Sequence, residues 1–391
     1  MQIMPVDASG FRKNKVEEKT QESNKEYFGY LDGLRFLAFF AVFYAHTGSI
    51  FYGGTLANDF PINILKKFFI YGSFGVNFFF VLSGFLITYL LLREKASKGT
   101  ISIKNFYLRR VLRIWPVYFI ALFFAAFILP FLIPKETYEI LGSTNPTMGT
   151  ETFLYFFFFL GNFYQGLGLG LGPLSMGILW SVCVEEQFYL IWPWIVRFFT
   201  TRRLALITIL LISLSLLYKF LWAENRVANY YLPWSVGMDL AFGALFGIAY
   251  FAKKQSLMLK GIIITLLGSI AIVAFTEFSL ESLRLFKTPI MDCVFVLILI
   301  FFIRQIGNPK RKILNALAYL GKISYGLYAY HTMCLMITVH LFYSTGFMSL
   351  DISRTMYAII VISALTLTIV VAHFSSIFIE KYFLSLKNKF N

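Results

Sequence analysis

Along most of this chain the apolar runs are longer and less interrupted than the core of a soluble domain requires. Runs of bilayer-crossing length, about 20 residues, occur at roughly 30–50, 69–92, 112–132, 177–197, 204–222, 232–251, 258–276, 289–306, 314–342 and 354–380. One shorter piece, ETFLYFFFFLGNFYQ at 151–165, rises only about 21 Å as a helix, against a hydrocarbon core about 30 Å thick. Backbone polar groups find no water inside a bilayer, so apolar runs of this length read as helices. The pattern predicts an all-α, polytopic helical bundle with about ten transmembrane helices, plus a short re-entrant or interfacial segment at 151–165.

The basic residues bear on whether 151–165 crosses. If it does not, one side collects Arg12, Lys13, Lys15, Lys19 and Lys25, the connection from Arg93 to Arg113, and the blocks around Arg202, Lys253 and NPKRK (308–312). Lys387 and Lys389 join them, while the opposite connections keep scattered cations such as Lys66, Lys135, Lys219 and Arg226. A full crossing would move every later block to the wrong side. The positive-inside rule therefore favours cytoplasmic termini. Residues 1–27 are charge-rich and lack the apolar core of a signal peptide, so a disordered cytoplasmic tail is expected there. The membrane domain is expected over 28–384, followed by a cytoplasmic tail at 385–391.

Composition narrows the function class. Only 14% of the 391 residues are charged, well below the quarter usual in soluble domains. The 46 Phe and 23 Tyr suit lipid-facing surfaces and interfacial belts. A net charge of +15 could suggest nucleic acid, but it sits in short blocks between apolar runs. That is the pattern of topology signals and anionic-lipid contacts. Cys183, Cys293 and Cys334 lie inside apolar runs without CxxC spacing, which indicates neither a disulfide framework nor a metal site. GLGLGLGPLSMG at 166–177 lacks the P-loop pattern and reads as a flexible outer loop.

Ionisable residues inside spans are costly, and so informative. In the first span Arg35 and His46 are eleven residues apart, about 16 Å along a helix and nearly on one face. Asp32 and Arg35 fall at the cytoplasmic boundary, where a snorkelling anchor is the plain reading; His46 falls in the outer half. The fourth span, ILWSVCVEEQFYLIWPW at 178–194, holds Glu185 and Glu186, which point about 100° apart. Glu185 lies at a depth comparable to His46, so a His46–Glu185 dyad is geometrically allowed. In the ninth span GKISYGLYAYHTM (321–333) places His331 in the outer half too. In NFYLRRVLRIWPVYF (105–119), Arg110 and Arg113 share a helix face at the cytoplasmic entry and could clamp phosphates; a positive-inside block is the plainer alternative.

In order along the chain, YLDGLRFLAFFAVFYAH, GSFGVNFFFVLSGFLIT (72–88), YLRRVLRIWPVYF, LWSVCVEEQFYLIWP (179–193) and ISYGLYAYH (323–331) resemble the signature segments of the acyltransferase-3 family of membrane acyltransferases. That family includes O-acetyltransferases of O-antigen and other surface polysaccharides, and the resemblance runs from about 28 to 383. It implies an O-acyltransferase of the bacterial inner membrane. The donor would be acyl-CoA, most simply acetyl-CoA, and the acceptor a carbohydrate hydroxyl. His46 would be the general base or acyl carrier, Glu185 its orienting partner, Arg35 an electrostatic post, and Arg110 and Arg113 the CoA clamp. Asp32, Asn77, Ser83, Glu186, Tyr325 and His331 are supporting candidates, with Asn77, Ser83 and Tyr325 as possible oxyanion donors. The family often has Asp at the position of Asn77. Some members carry an appended extracytoplasmic esterase-like domain, so the need for a separate extracytoplasmic transferase stays open.

Two other classes use similar residues. A proton-coupled transporter also places His and Glu in spans, and would show flux without acyl-CoA consumption. A lipid-linked glycosyltransferase would call for acidic groups or a metal site in the outer loops, and no such cluster is present there.

Overall fold

The computed structural model describes residues 29–51, 72, 74–140, 149–275, 280–304, 312–347 and 353–387. The expected tail at 1–27 and residues 388–391 of the C-terminal tail lie outside them. Every regular element among the described residues is helical. The elements are α1 (Gly29–Phe51), α2 (Phe74–Lys98), α3 (Ile103–Phe123), α4 (Lys135–Ile140), α5 (Thr150–Phe157), α6 (Gly161–Gly166), α7 (Leu174–Gly177), α8 (Trp180–Phe198) and α9 (Thr201–Leu221). They continue with α10 (Arg226–Tyr231), α11 (Pro233–Phe251), α12 (Gln255–Phe275), α13 (Leu280–Arg304), α14 (Lys312–Lys322), α15 (Ser324–Ser344), α16 (Arg354–Ser375) and α17 (Lys381–Lys387). A π-turn at Phe124–Ile128 carries α3 on to Leu132, and another at Ser376–Glu380 joins α16 to α17.

Helix starts follow local chemistry. The hydroxyls of Ser102, Thr200 and Ser353 accept hydrogen bonds from the backbone N–H groups of Asn105, Arg203 and Met356. The Asn225 side chain caps α10 through the N–H of Ala228 at 2.9 Å, and Pro233 opens α11 where no backbone donor is missed. Such caps satisfy donors that the helix itself leaves orphaned.

By length and apolarity five described segments can cross a membrane: Phe74–Lys98, Ile103–Leu132, Thr201–Leu221, Arg226–Phe251 and Arg354–Leu386. The run at 314–342 is divided at Ile323 into α14 and α15. Segment 151–165 is two short helices, α5 and α6, separated by a turn in which Phe159 takes a positive φ of 57°. It packs against the middle of the neighbouring helices: the Tyr118 hydroxyl of α3 donates to the Phe156 carbonyl, and the Gln187 amide of α8 donates to the Phe159 carbonyl.

The centre of the bundle is the α2–α11 pair. In lipid, apolar burial does not drive helices together, so close backbone approach through small residues matters more. A Cβ on Gly84 would lie 2.0 Å from the Leu240 carbonyl, and one on Gly243 would lie 1.9 Å from that of Val81. The Phe85 and Phe246 rings stack beside this seam at 4.8 Å. By contrast, Leu206, Leu210, Leu214 and Leu217 leave one side of α9 exposed and apolar, a surface suited to lipid. α14 crosses the start of α1 so closely that a Cβ on Gly321 would meet the Asp32 carbonyl at 1.6 Å. That contact fixes where Asp32 and Arg35 enter the bundle.

Candidate active site

α1, α2, α3, α8 and α15 enclose a cavity of about 170 Å³. Three guanidiniums line it, those of Arg35, Arg110 and Arg113, against a single carboxylate, Glu185. Hydroxyls of Ser83, Ser181, Tyr189, Ser324, Tyr325 and Tyr328 complete the polar lining. The arginines come from two helices. Arg35 reaches in from α1 with Asp32 paired to it at 2.6 Å. On α3 the adjacent Arg109 turns away to Glu94 at 3.1 Å, which leaves Arg110 and Arg113 to the cavity. The Arg110 guanidinium sits beside the rings of Phe106 and Tyr189 at 5.8 and 6.0 Å, and its buried Nε has no hydrogen-bond partner.

Glu185 and Glu186 separate as their helix spacing requires. Glu185 accepts from the Ser83 hydroxyl and the Tyr189 hydroxyl, both at 2.9 Å. Glu186 faces α3, where Trp115 Nε1 donates to it at 3.0 Å; its other oxygen is buried without a partner.

The His46–Glu185 pairing is corrected by the structure. Both bonds to the Glu185 carboxylate come from Ser83 and Tyr189, and His46 meets His331 instead. His46 Nδ1 lies 2.9 Å from the Val42 carbonyl and 3.4 Å from His331 Nε2. A carbonyl only accepts, so His46 Nδ1 carries the hydrogen and Nε2 is the basic nitrogen. His331 Nδ1 lies 2.7 Å from the Tyr328 carbonyl, so its Nε2 is an acceptor facing the His46 Nδ1–H. His331 is fully buried and is held edge-on by Phe39 and Phe43. Depth on two helices could be read from the sequence, but not which helices are neighbours.

The histidine pair lies outside the cavity lining, and Tyr328 stands between the two. Its ring borders the cavity and packs against His331 at 5.7 Å, while its hydroxyl is held by Ser181 at 2.7 Å and donates to the Ile178 carbonyl at 3.0 Å. Tyr325 lines the cavity with its hydroxyl donating to the Ile114 carbonyl at 3.0 Å. Asn77 does not line it: its amide donates to Asp239 of α11 at 2.5 Å. Tyr328, Ser181 and Ser324 carry no sequence signal as site residues, because hydroxyls are common in membrane helices. Asp239 and Asp292 do carry one, each a lone carboxylate inside an apolar run. Among the described residues no cluster of His, Cys, Asp or Glu could hold a metal ion.

A helical membrane bundle enclosing a basic cavity beside a histidine pair, one member of it fully buried, defines the class. A family model described as an acyltransferase domain matches residues 28–373, and the chain belongs to that family, acyltransferase-3. It is similar to peptidoglycan O-acetyltransferase OatA of Listeria monocytogenes, at 26% identity over 344 residues, 82% of this chain and 51% of the relative. A Staphylococcus aureus protein provisionally named an O-acetyltransferase is 26% identical over 412 residues, 95% of this chain and 59% of its own length. The chain thus spans about half to three fifths of the length of these relatives. No solved structure matches the chain.

Proposed function

We propose that this protein moves an acyl group, most simply acetyl, from acyl-CoA to a carbohydrate hydroxyl, within a bacterial inner membrane. The observation that carries the reading is the surplus of positive charge in the cavity, three guanidiniums against Glu185, within a chain of this family. Such a surplus, with Arg110 Nε unpartnered, suits an anionic ligand. Phosphates of CoA at Arg110 and Arg113 meet that chemistry, and Arg35 lines the same cavity. The name of the Listeria relative points to a cell-wall glycan as one acceptor class.

In this scheme His46 Nε2 takes the proton of the acceptor hydroxyl as its oxygen attacks the thioester carbonyl. The tetrahedral intermediate collapses, the C–S bond breaks, and the imidazolium returns the proton to the CoA thiolate. The Val42 carbonyl fixes the His46 tautomer and His331 Nε2 supports it as a second acceptor, the orienting role that the family resemblance implied for Glu185. Glu185 instead holds Ser83 and Tyr189 across from the arginines. Tyr328 borders the cavity and packs on His331, so in this scheme the acyl end of the donor passes beside that ring to reach His46. About ten crossings with cytoplasmic termini would put the arginines on the donor's side.

Acyl transfer from labelled acetyl-CoA to a glycan acceptor, measured with purified protein in nanodiscs, tests this. His46→Ala is expected to lower turnover by about 100-fold or more; near-normal turnover rejects the base assignment. Arg110→Ala/Arg113→Ala is expected to weaken CoA binding, and unchanged CoA affinity rejects the clamp.

A further inference from the structure

Away from the cavity the bundle buries a second set of ionisable groups. Asp239 of α11 and Asp292 of α13 are fully buried, and Lys219 of α9 is 9% exposed. Asn77 of α2 donates to Asp239 Oδ2 at 2.5 Å, and Lys219 Nζ donates to Thr288 of α13 at 3.2 Å. Lys219 is near enough to both carboxyls for electrostatic attraction. Cys293 adjoins Asp292. Lys287, a turn away on α13, sets its ammonium over the Phe74 ring of α2 at 4.6 Å. None of these residues lines the acyl-transfer cavity.

Two observations are in tension if both carboxyls are ionised. No N–H or O–H donor of another residue reaches Asp239 Oδ1 or either oxygen of Asp292. Yet the two carboxyls lie within hydrogen-bonding reach of each other. Two carboxylates repel and cannot bond; a carboxylate and a carboxylic acid can. Two carboxylates with one ammonium would also leave a net negative charge deep in the bundle, which is costly.

We propose that Asp239 and Asp292 hold one proton between them, so that Lys219, one carboxylate and one carboxylic acid form an electrically neutral triad across α9, α11 and α13. This is a proton-binding site distinct from the acyl-transfer site and independent of that reading. Asn77 connects it to α2, whose other face carries Val76, Phe79 and Ser83 into the cavity. Asn77 therefore serves as an amide donor to the triad's anion, and a carboxylate there would add a charge the triad has no partner for.

The test is a charge-balance cycle on the full chain in nanodiscs, read by thermal unfolding and by infrared spectroscopy with hydrogen–deuterium exchange. Wild-type protein should show a carboxylic C=O band that both Asp239→Asn and Asp292→Asn remove. Each single variant keeps one carboxylate for Lys219 and should unfold within a few degrees of wild type. Asp239→Asn/Asp292→Asn strands Lys219 and should unfold well below wild type, or fail to accumulate. Adding Lys219→Met to that pair should restore folding. A spectrum that neither single variant changes overturns the shared proton, and a triple variant no better than the double overturns Lys219 as counter-ion. If Na⁺ at fixed pH stabilises wild type but neither single variant, the occupant is a metal cation and the proposal fails.

Discussion

Single residues owe their roles to what they are held against. Arg109 and Arg110 are neighbours in sequence, yet one is tied to Glu94 and the other borders the cavity. A single 100° step along the helix decides which is structural. His331→Ala is expected to lower kcat by a smaller factor than loss of His46, on the order of tenfold, with KM for acyl-CoA unchanged. The readout that separates positioning from mere folding is the pH profile of kcat, since without His331 the His46 tautomer is less strongly fixed. Trp115→Phe removes the indole donor from Glu186, whose other oxygen already lacks a partner. An unsatisfied buried acceptor costs about 1–3 kcal/mol, so a lower unfolding temperature is expected while CoA binding at Arg110 persists.

Between elements, contact depends on notches at particular helix positions. α11 offers a comparison within one helix. A Cβ on Gly243 would overlap the Val81 carbonyl, whereas one on Gly237 would have no atom within 4 Å. Gly243→Ala should therefore destabilise by about 1–3 kcal/mol through overpacking. Gly237→Ala should be neutral or stabilising by up to about 1 kcal/mol, because Ala loses less backbone freedom on folding. Gly321→Ala adds a functional consequence, since it would push α14 off the Asp32 carbonyl and move Arg35 with it. Weaker CoA binding together with a lower unfolding temperature is expected; CoA affinity at the wild-type value would show that α14 does not set the position of Arg35. These notches are marked in the sequence only as glycines among many apolar residues. Which of them face another backbone depends on how the helices are arranged.

At the scale of the whole molecule, orientation across the membrane is tested chemically. The native cysteines are buried and unpaired by disulfides, so replacing them for labelling work exposes little. Single cysteines at 202 and 224, at opposite ends of α9, should label from opposite sides of sealed vesicles, with 202 on the cytoplasmic side. Labelling of both from one side would reject the proposed topology. The same molecule carries two buried polar centres, one rich in guanidinium and one in carboxyl groups, on different faces of α2.

The sequence by itself determined the helical class, the approximate place of most long helices, the family, and which residues of one helix share a face. These depend on apolar run length and on a fixed 100° step per residue, both local properties. The facing of Arg110 and Arg113 and the divergence of Glu185 and Glu186 were legible for that reason. Only the tertiary structure decided the partners: His46 with His331, Glu185 with Ser83 and Tyr189, and Asn77 with Asp239. It also divided the 314–342 run and folded 151–165 into two short helices. Partner choice depends on which helices become neighbours and at what height, and that is set by close packing at a few glycines hundreds of residues apart. No local pattern along the chain encodes it.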